Sequence, residues 1–191
     1  MDDLRPALRP SARRLTDRLT ATSREALLIR NWMSHDARWF MAVAREYGLA
    51  AANRLNRIAA RAVGEAEAPR AVRALALPPA TSLDDWLLTQ EAIIDLLGPD
   101  LLDYRVGRLA ERTYRIEVAR CFAYDHVARA GVADGYECGI FERVAGWLDA
   151  LGLPHQMSPG IGRCLKAQGG DCAYEITLGR PASAASAPPN C

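Results

Sequence analysis

The stretch Tyr114-Arg115-Ile116-Glu117-Val118-Ala119-Arg120-Cys121 places apolar side chains at every second position and charged or small ones between them. That period of two is the signature of a half-buried strand. It sits in a chain whose preceding hundred residues carry helical spacing, so it decides the fold class. The expectation is α+β, an N-terminal helical portion packed on a small mixed or antiparallel sheet with flanking helices.

Working back from Tyr114, Ser82 followed by Asp84 and Asp85 has the form of a helix start, and Gly98-Pro99 the form of its end. Leu49 to Leu77 reads as a long helix interrupted near Gly64 and before Pro69, ended by Pro78-Pro79. Ala26, Leu27 and Ile29 to Trp32 begin one amphipathic helix. Ser34 then predicts an N-cap for the next, with Trp39, Phe40, Val43 and Tyr47 on one stripe and Gly48 as the stop. Residues 1–23 read as a flexible arm with a short helix near Leu15 to Leu19.

Working forward, a helix is expected from about Tyr124 to Arg129, and another through Ile140, Phe141, Val144 and Trp147 to Leu151, stopped by Gly152 and Pro154. Arg163 to Lys166 and Cys172 to Leu178 predict two strands joined by a Gln-Gly-Gly-Asp turn. The chain thus divides into the arm, a single domain over 24–178 (24–103 mainly helical, 104–178 α/β), and a disordered tail, 179–191.

With 191 residues, half of them hydrophobic, the chain can bury roughly two thirds of its unfolded surface without staples. A net charge of +1 offers no field to gather nucleic acid or an anionic membrane, and neither partner is expected. Arg5, Arg9, Arg13 and Arg14 have no apolar run behind them, so no secretory leader is predicted and a cytoplasmic location is expected. Thiols stay reduced there, and five cysteines point to metal or redox chemistry before disulfides.

Four of them, Cys121, Cys138, Cys164 and Cys172, stand 17, 26 and 8 residues apart. This is not the paired C-x₂-C spacing of zinc ribbons or ferredoxins. Each nevertheless falls at the end of an expected element: Cys121 closes a strand, Cys138 begins a helix, and Cys164 and Cys172 flank the turn. Element ends are where distant residues meet, and four soft thiolates select an iron–sulfur cluster, the first expectation, or zinc. The competing reading is that cysteine serves here as a small core hydrophobe. Arg120, Arg163 and Lys166, the last being the only lysine, adjoin these positions and would offset their charge. Cys138 at a helix start is the expected activated thiol. Cys191 lies in the tail and is not counted as a ligand.

His35, with Asp36 beside it, stands near the predicted helix start and is a candidate base. His126 faces either the Cys121 side or solvent, and His155 in a turn is expected to be solvated. No phosphate loop, nucleophile elbow, H-E-x-x-H or dinucleotide fingerprint occurs.

The run WMSHDARWFMAVAREYGLAAANRLN (32–56), with the later RIEVARC, YECG, GRC and GGDCAYEI, resembles cytosolic proteins related to L-2-amino-thiazoline-4-carboxylic acid hydrolase-like proteins. The closing Cys-x₇-Cys-Ala-Tyr-Glu-Ile is similar to the end of the four-vinyl-reductase domain. The first resemblance implies attack on a cyclic amidine C=N bond, with Cys121, Cys138 and Cys164 matching its cysteines and Cys138, His35 and Asp36 as catalytic candidates. The second implies a small-molecule-binding α+β module. The functional expectation is a metal- or iron–sulfur-binding protein that senses or processes a small molecule. The alternatives are a hydrolase of the thiazoline-carboxylate type and a ligand-binding or dimerisation module, with a homodimer formed through the N-terminal helices.

Overall fold

A computed structural model describes residues 3–179. By its internal contacts the chain falls into two units, Met1–Trp39 and Phe40–Cys191, and helix α2 runs through the division.

The first unit holds α1 (Arg5–Thr16) and the beginning of α2 (Ala21–Tyr47). The expected helix at Leu15 to Leu19 lies earlier in the chain instead. Pro6 suits a first helical turn, where its missing N–H forfeits nothing, and residues 17–19 form the turn that follows. Thr20 caps α2, its Oγ1 accepting the Ser23 amide at 3.1 Å. The predicted restart at Ser34 does not occur, because no glycine or proline interrupts residues 21–47. The Ser34 hydroxyl and carbonyl both accept from Arg38 one turn on, as an interior residue's can. Of the expected stripe, Phe40 is buried, Val43 is half-buried, and Trp39 and Tyr47 are exposed. Gly48, at φ +84°, ends the helix as read.

The second unit carries α3 (Leu49–Leu75), α4 (Leu83–Leu97), α5 (Phe122–Arg129), α6 (Gly139–Ala150) and a four-stranded antiparallel sheet. The strands are β1 (Leu102–Ala110), β2 (Thr113–Cys121), β3 (His155–Ser158) and β4 (Ala173–Leu178), in the order β1-β2-β4-β3. This is the α+β architecture expected. Helix α4 opens with a full capping box between Ser82 and Asp85 and closes at Gly98. Strand β2 points Tyr114, Ile116 and Val118 inward by alternation, and a register shift against β1 between Val118 and Arg120 turns Cys121 inward after two exposed residues.

Three readings need correction. First, the predicted hairpin over 163–178 is not formed. Strand β4 pairs with β2 and β3, and Arg163 joins only an isolated bridge to Glu137. Second, β1 and β3 are edge strands that the sequence did not announce, since their outer positions are exposed and their composition is mixed. Third, α3 passes unbroken through Gly64 and Pro69.

The reason for the third lies in α6. A Cβ on Gly64 would stand 2.3 Å from the Arg143 carbonyl oxygen, and one on Gly146 would stand 2.3 Å from that of Arg61. The two helices touch backbone to backbone, and only glycine admits that approach. Around this contact Arg57 holds Glu142 Oε1 through Nε and Nη2 at 2.9 and 2.6 Å and Glu137 at 2.8 Å. Arg61 bonds Glu142 Oε2 and Asp149, and Glu67 receives Arg143 and the Trp147 indole N–H. Contacts of this extent outweigh the roughly 3 kcal/mol a helix-interior proline costs.

The main core joins α4 (Leu83, Trp86, Ile93), β2, β4 and α6 (Phe141, Val144, Leu148). Within it the Trp86 indole donates to Tyr114 Oη at 2.9 Å, and that hydroxyl donates to Gln90 Oε1 at 2.8 Å. A smaller cluster gathers Phe40, Ala52, Val127, Tyr136 and Cys164. Cys191 and the remainder of the tail after Gly179 lie outside the described residues.

Replacing Gly146 with alanine forces α3 and α6 apart and is expected to cost about 1–3 kcal/mol, lowering Tm by roughly 4–10 °C. Gly107→Ala in β1, where a Cβ meets nothing within 4 Å, is the control and should leave Tm unchanged within a degree or two. Thermal unfolding of the two variants beside the parent checks this.

Candidate functional site

Cys121, Cys138, Cys164 and Cys172 line one pocket, with Val118, Lys166 and several aromatic side chains around them. All four are free thiols. They arrive on four separate segments, and the backbone stitches those segments together. The Cys138 amide donates to Gly162 O at 2.8 Å and the Cys164 amide to Tyr136 O at 2.9 Å, which ties 136–138 against 162–164. The Val118 amide donates to Cys172 O at 2.8 Å, which sets Cys172 beside β2. Lys166 Nζ donates to Ala119 O at 2.7 Å and closes the loop over the same strand. On the other side Asn53 of α3 donates to Gly135 O at 2.7 Å and accepts the Glu137 amide at 3.1 Å, so α3 positions the approach to Cys138.

The pocket is small, about 10 Å³, the space of one water molecule. Cys121, Cys138 and Cys164 are buried and Cys172 is half-buried. The sulfurs share this space without standing as a ligand set: among the described residues no three of His, Cys, Asp and Glu are disposed to hold a metal ion.

Burial works against the expected activation of Cys138. It does occupy the N-cap position of α6, and the Phe141 amide works to lower its pKa, yet burial dominates and pushes the thiol up to about 12. Desolvation penalises the thiolate more than one helix start rewards it. Burial likewise raises Cys121, opposed by the Tyr124 and Ala123 amides of α5. Cys172 is pushed up to about 11 by burial first and by its neighbouring thiols, with Lys166 acting in the opposite sense. Cys121, Cys138 and Cys172 are thus held toward the neutral thiol until something better than a helix end stabilises their charge.

Two tyrosines frame the set, and the sequence did not single them out. Tyr136 lines the pocket, and burial, then the nearby Cys138 and Cys121, raise its pKa. Tyr174, stacked on Phe141 with ring centroids 3.8 Å apart, has a fully buried hydroxyl without a hydrogen-bond partner. Burial first, then Cys138, Cys172 and Cys164, raise its pKa, with Arg57 acting in the opposite sense. The available signal was modest: each tyrosine stands two residues from a cysteine.

The other candidates fall elsewhere. His35 and Asp36 are exposed in the middle of α2, not at a helix start, and belong to the first unit, whereas the pocket is built from the second. Arg120 is exposed and reaches Asp100 O at 2.6 Å, and Arg163 is exposed and reaches Asp134 O at 2.5 Å. Of the three expected cations only Lys166 lines the pocket. His126 is exposed on α5. His155, expected in solvent, is half-buried in β3 with Nδ1 3.1 Å from Leu153 O.

A thiol whose folded pKa exceeds its unfolded value stabilises the fold fully below the unfolded value, near 9, and loses that contribution as pH rises toward the folded one. Stability should therefore decline from about pH 9 toward pH 12. Denaturant midpoints between pH 8 and 10.5 should fall less steeply in Cys138→Ala than in the parent, and equal slopes would contradict the assignment.

A family model described as a family of unknown function (DUF6125) matches residues 18–95, under half of the chain. The matched stretch ends before β1 and contains none of the four cysteines. No curated protein matches the chain. Among the described residues no helix is long and apolar enough to cross a membrane.

Proposed function

We propose that Cys121, Cys138, Cys164 and Cys172 bind a soft metal ion and that the protein senses or processes a small molecule beside it. The observation that carries this reading is the meeting of all four described cysteines at one pocket from four segments of chain. A set of four thiolates is the donor chemistry of zinc and of iron–sulfur clusters. The pocket's size favours a single ion, zinc, over a four-iron cluster. The Tyr174 hydroxyl, buried without a partner and under the electrostatic influence of Cys138, Cys172 and Cys164, is a donor that a thiolate turned toward it would satisfy, and outer hydrogen bonds of this kind orient metal ligands.

Binding on this reading exchanges thiol protons for the ion and turns the sulfurs toward a common point. Affinity consequently rises with pH. The thiazoline-carboxylate hydrolase reading gains nothing from the same geometry, because a thiol held near pKa 12 is a poor nucleophile at neutral pH and His35 and Asp36 stand on the other unit.

Protein purified without air should carry about one zinc per chain by elemental analysis and be colourless. Chelation should lower Tm by roughly 10 °C, the shift expected when ligand exceeds its Kd about a thousandfold. A brown protein with iron and sulfide would keep the site and change the metal. A folded protein with all five thiols titratable that takes up neither zinc nor iron would end the proposal.

A further inference from the structure

A second, larger recess of about 340 Å³ shares Cys172 with the sulfur pocket. It is lined by Arg105 and Arg115 from β1 and β2, by Glu117 between them, and by Lys166, Asp171 and Cys172 from the loop before β4. Val118, Lys166 and Cys172 border both spaces, so Cys172 is a common wall. That placement agrees with its burial, half where the other three thiols are complete.

The cations in the recess are unevenly paired. Glu117 is shared by two guanidinium groups, Arg115 Nε at 2.8 Å and Arg105 Nη2 at 3.5 Å. Arg115 has a further, long contact to Glu175 at 3.5 Å. Lys166 donates to the Ala119 carbonyl and, among the described residues, forms no salt bridge. Lys166, the chain's sole lysine, is thus the lining cation without a carboxylate partner among the described residues, and it lines the recess together with the half-buried thiol of Cys172. Guanidinium groups and an ammonium around a volume at the small end of ligand pockets match a small planar monoanion.

We infer that this recess binds a small carboxylate, anchored by Lys166 with Arg105 beside it, and seats it against the Cys172 sulfur. The inference concerns the metal-free chain and does not depend on an ion in the sulfur pocket. It would give the cysteine site its small-molecule input, because the ligand and the site would meet at a single atom.

Iodoacetate and iodoacetamide deliver the same alkylation, with loss of iodide and of the thiol proton, and differ in the carboxylate. In chelator-treated protein the rate ratio of iodoacetate to iodoacetamide at Cys172, measured by mass spectrometry and divided by the same ratio for glutathione, should be at least tenfold. Changes in thiol pKa affect both reagents and drop out of the ratio. Lys166→Met should bring it near unity, Lys166→Arg should keep most of it, and Arg105→Gln, at a highly exposed side chain whose loss spares the fold, should reduce it severalfold. Acetate should slow the iodoacetate reaction, and inorganic phosphate should slow it less. A parental ratio near one, a ratio indifferent to both Lys166→Met and Arg105→Gln, or stronger protection by phosphate than by acetate would overturn the inference. A chain that takes up no metal yet shows the ratio would leave this site standing while removing the metal.

Discussion

The contact between α3 and α6 constrains everything around it. Two glycines, Gly64 and Gly146, bring the helix backbones so close that a single methyl on either would overlap a carbonyl oxygen. At that separation the ion pairs have short reach and fixed partners. The carboxylate of Glu142 is buried and would be costly to keep charged alone, but Arg57 and Arg61 both bond it. The pairing sets the register of α6 along α3. One turn toward the start of α3, Asn53 then holds the chain entering α6 by two hydrogen bonds, and that chain ends at Cys138. A shift of α6 by one residue would therefore move a sulfur of the pocket as well as the lattice of charges.

The pocket shows how two opposed electrostatic effects resolve. Cys121 and Cys138 both occupy helix N-cap positions, where amide dipoles favour negative charge by up to about 2 kcal/mol in partly buried geometries. Removal from water disfavours it more, and the thiols rise in pKa. Such a site is inert by default. The same amides become useful only once a cation has offset the desolvation, when they serve as donors to thiolates already formed. Half-buried Cys172, where Lys166 acts against the rise, stands at the gentler end of this balance.

What could be read from the residues alone follows from how local each signal is. The capping box at Ser82, the alternation of β2 and β4, and the stop after α6 depend on neighbours in sequence, and they were legible. Gly64 and Pro69 have the opposite meaning in isolation from the one they acquire against α6, so α3 looked broken when it is continuous. Ser34 offered a cap that Arg38 makes unnecessary. Edge strands β1 and β3 bury too little to show a clean period. The meeting of the cysteines could be anticipated because each lay at an element end. The tyrosines and the role of Lys166 could not, since nothing in sequence places residue 174 beside 138 or residue 166 beside 119.

Use of cysteine as a plain hydrophobe would account for burial but not for this distribution. Cys121 and Cys138 belong to the main core, Cys164 to the smaller cluster, and Cys172 to the margin of the main core. Filling material would be spread through those regions according to local volume. Instead all four cysteines line one space where the regions meet, at a point the close packing of the interior leaves open to about the volume of a water molecule. A packed core also rarely strands a tyrosine hydroxyl, and the stranded Tyr174 feels Cys138, Cys172 and Cys164 electrostatically. A set of thiolates around an ion, as proposed above, would fill the opening. An apolar residue at any one of the four positions would close the gap and leave the tyrosine as it is.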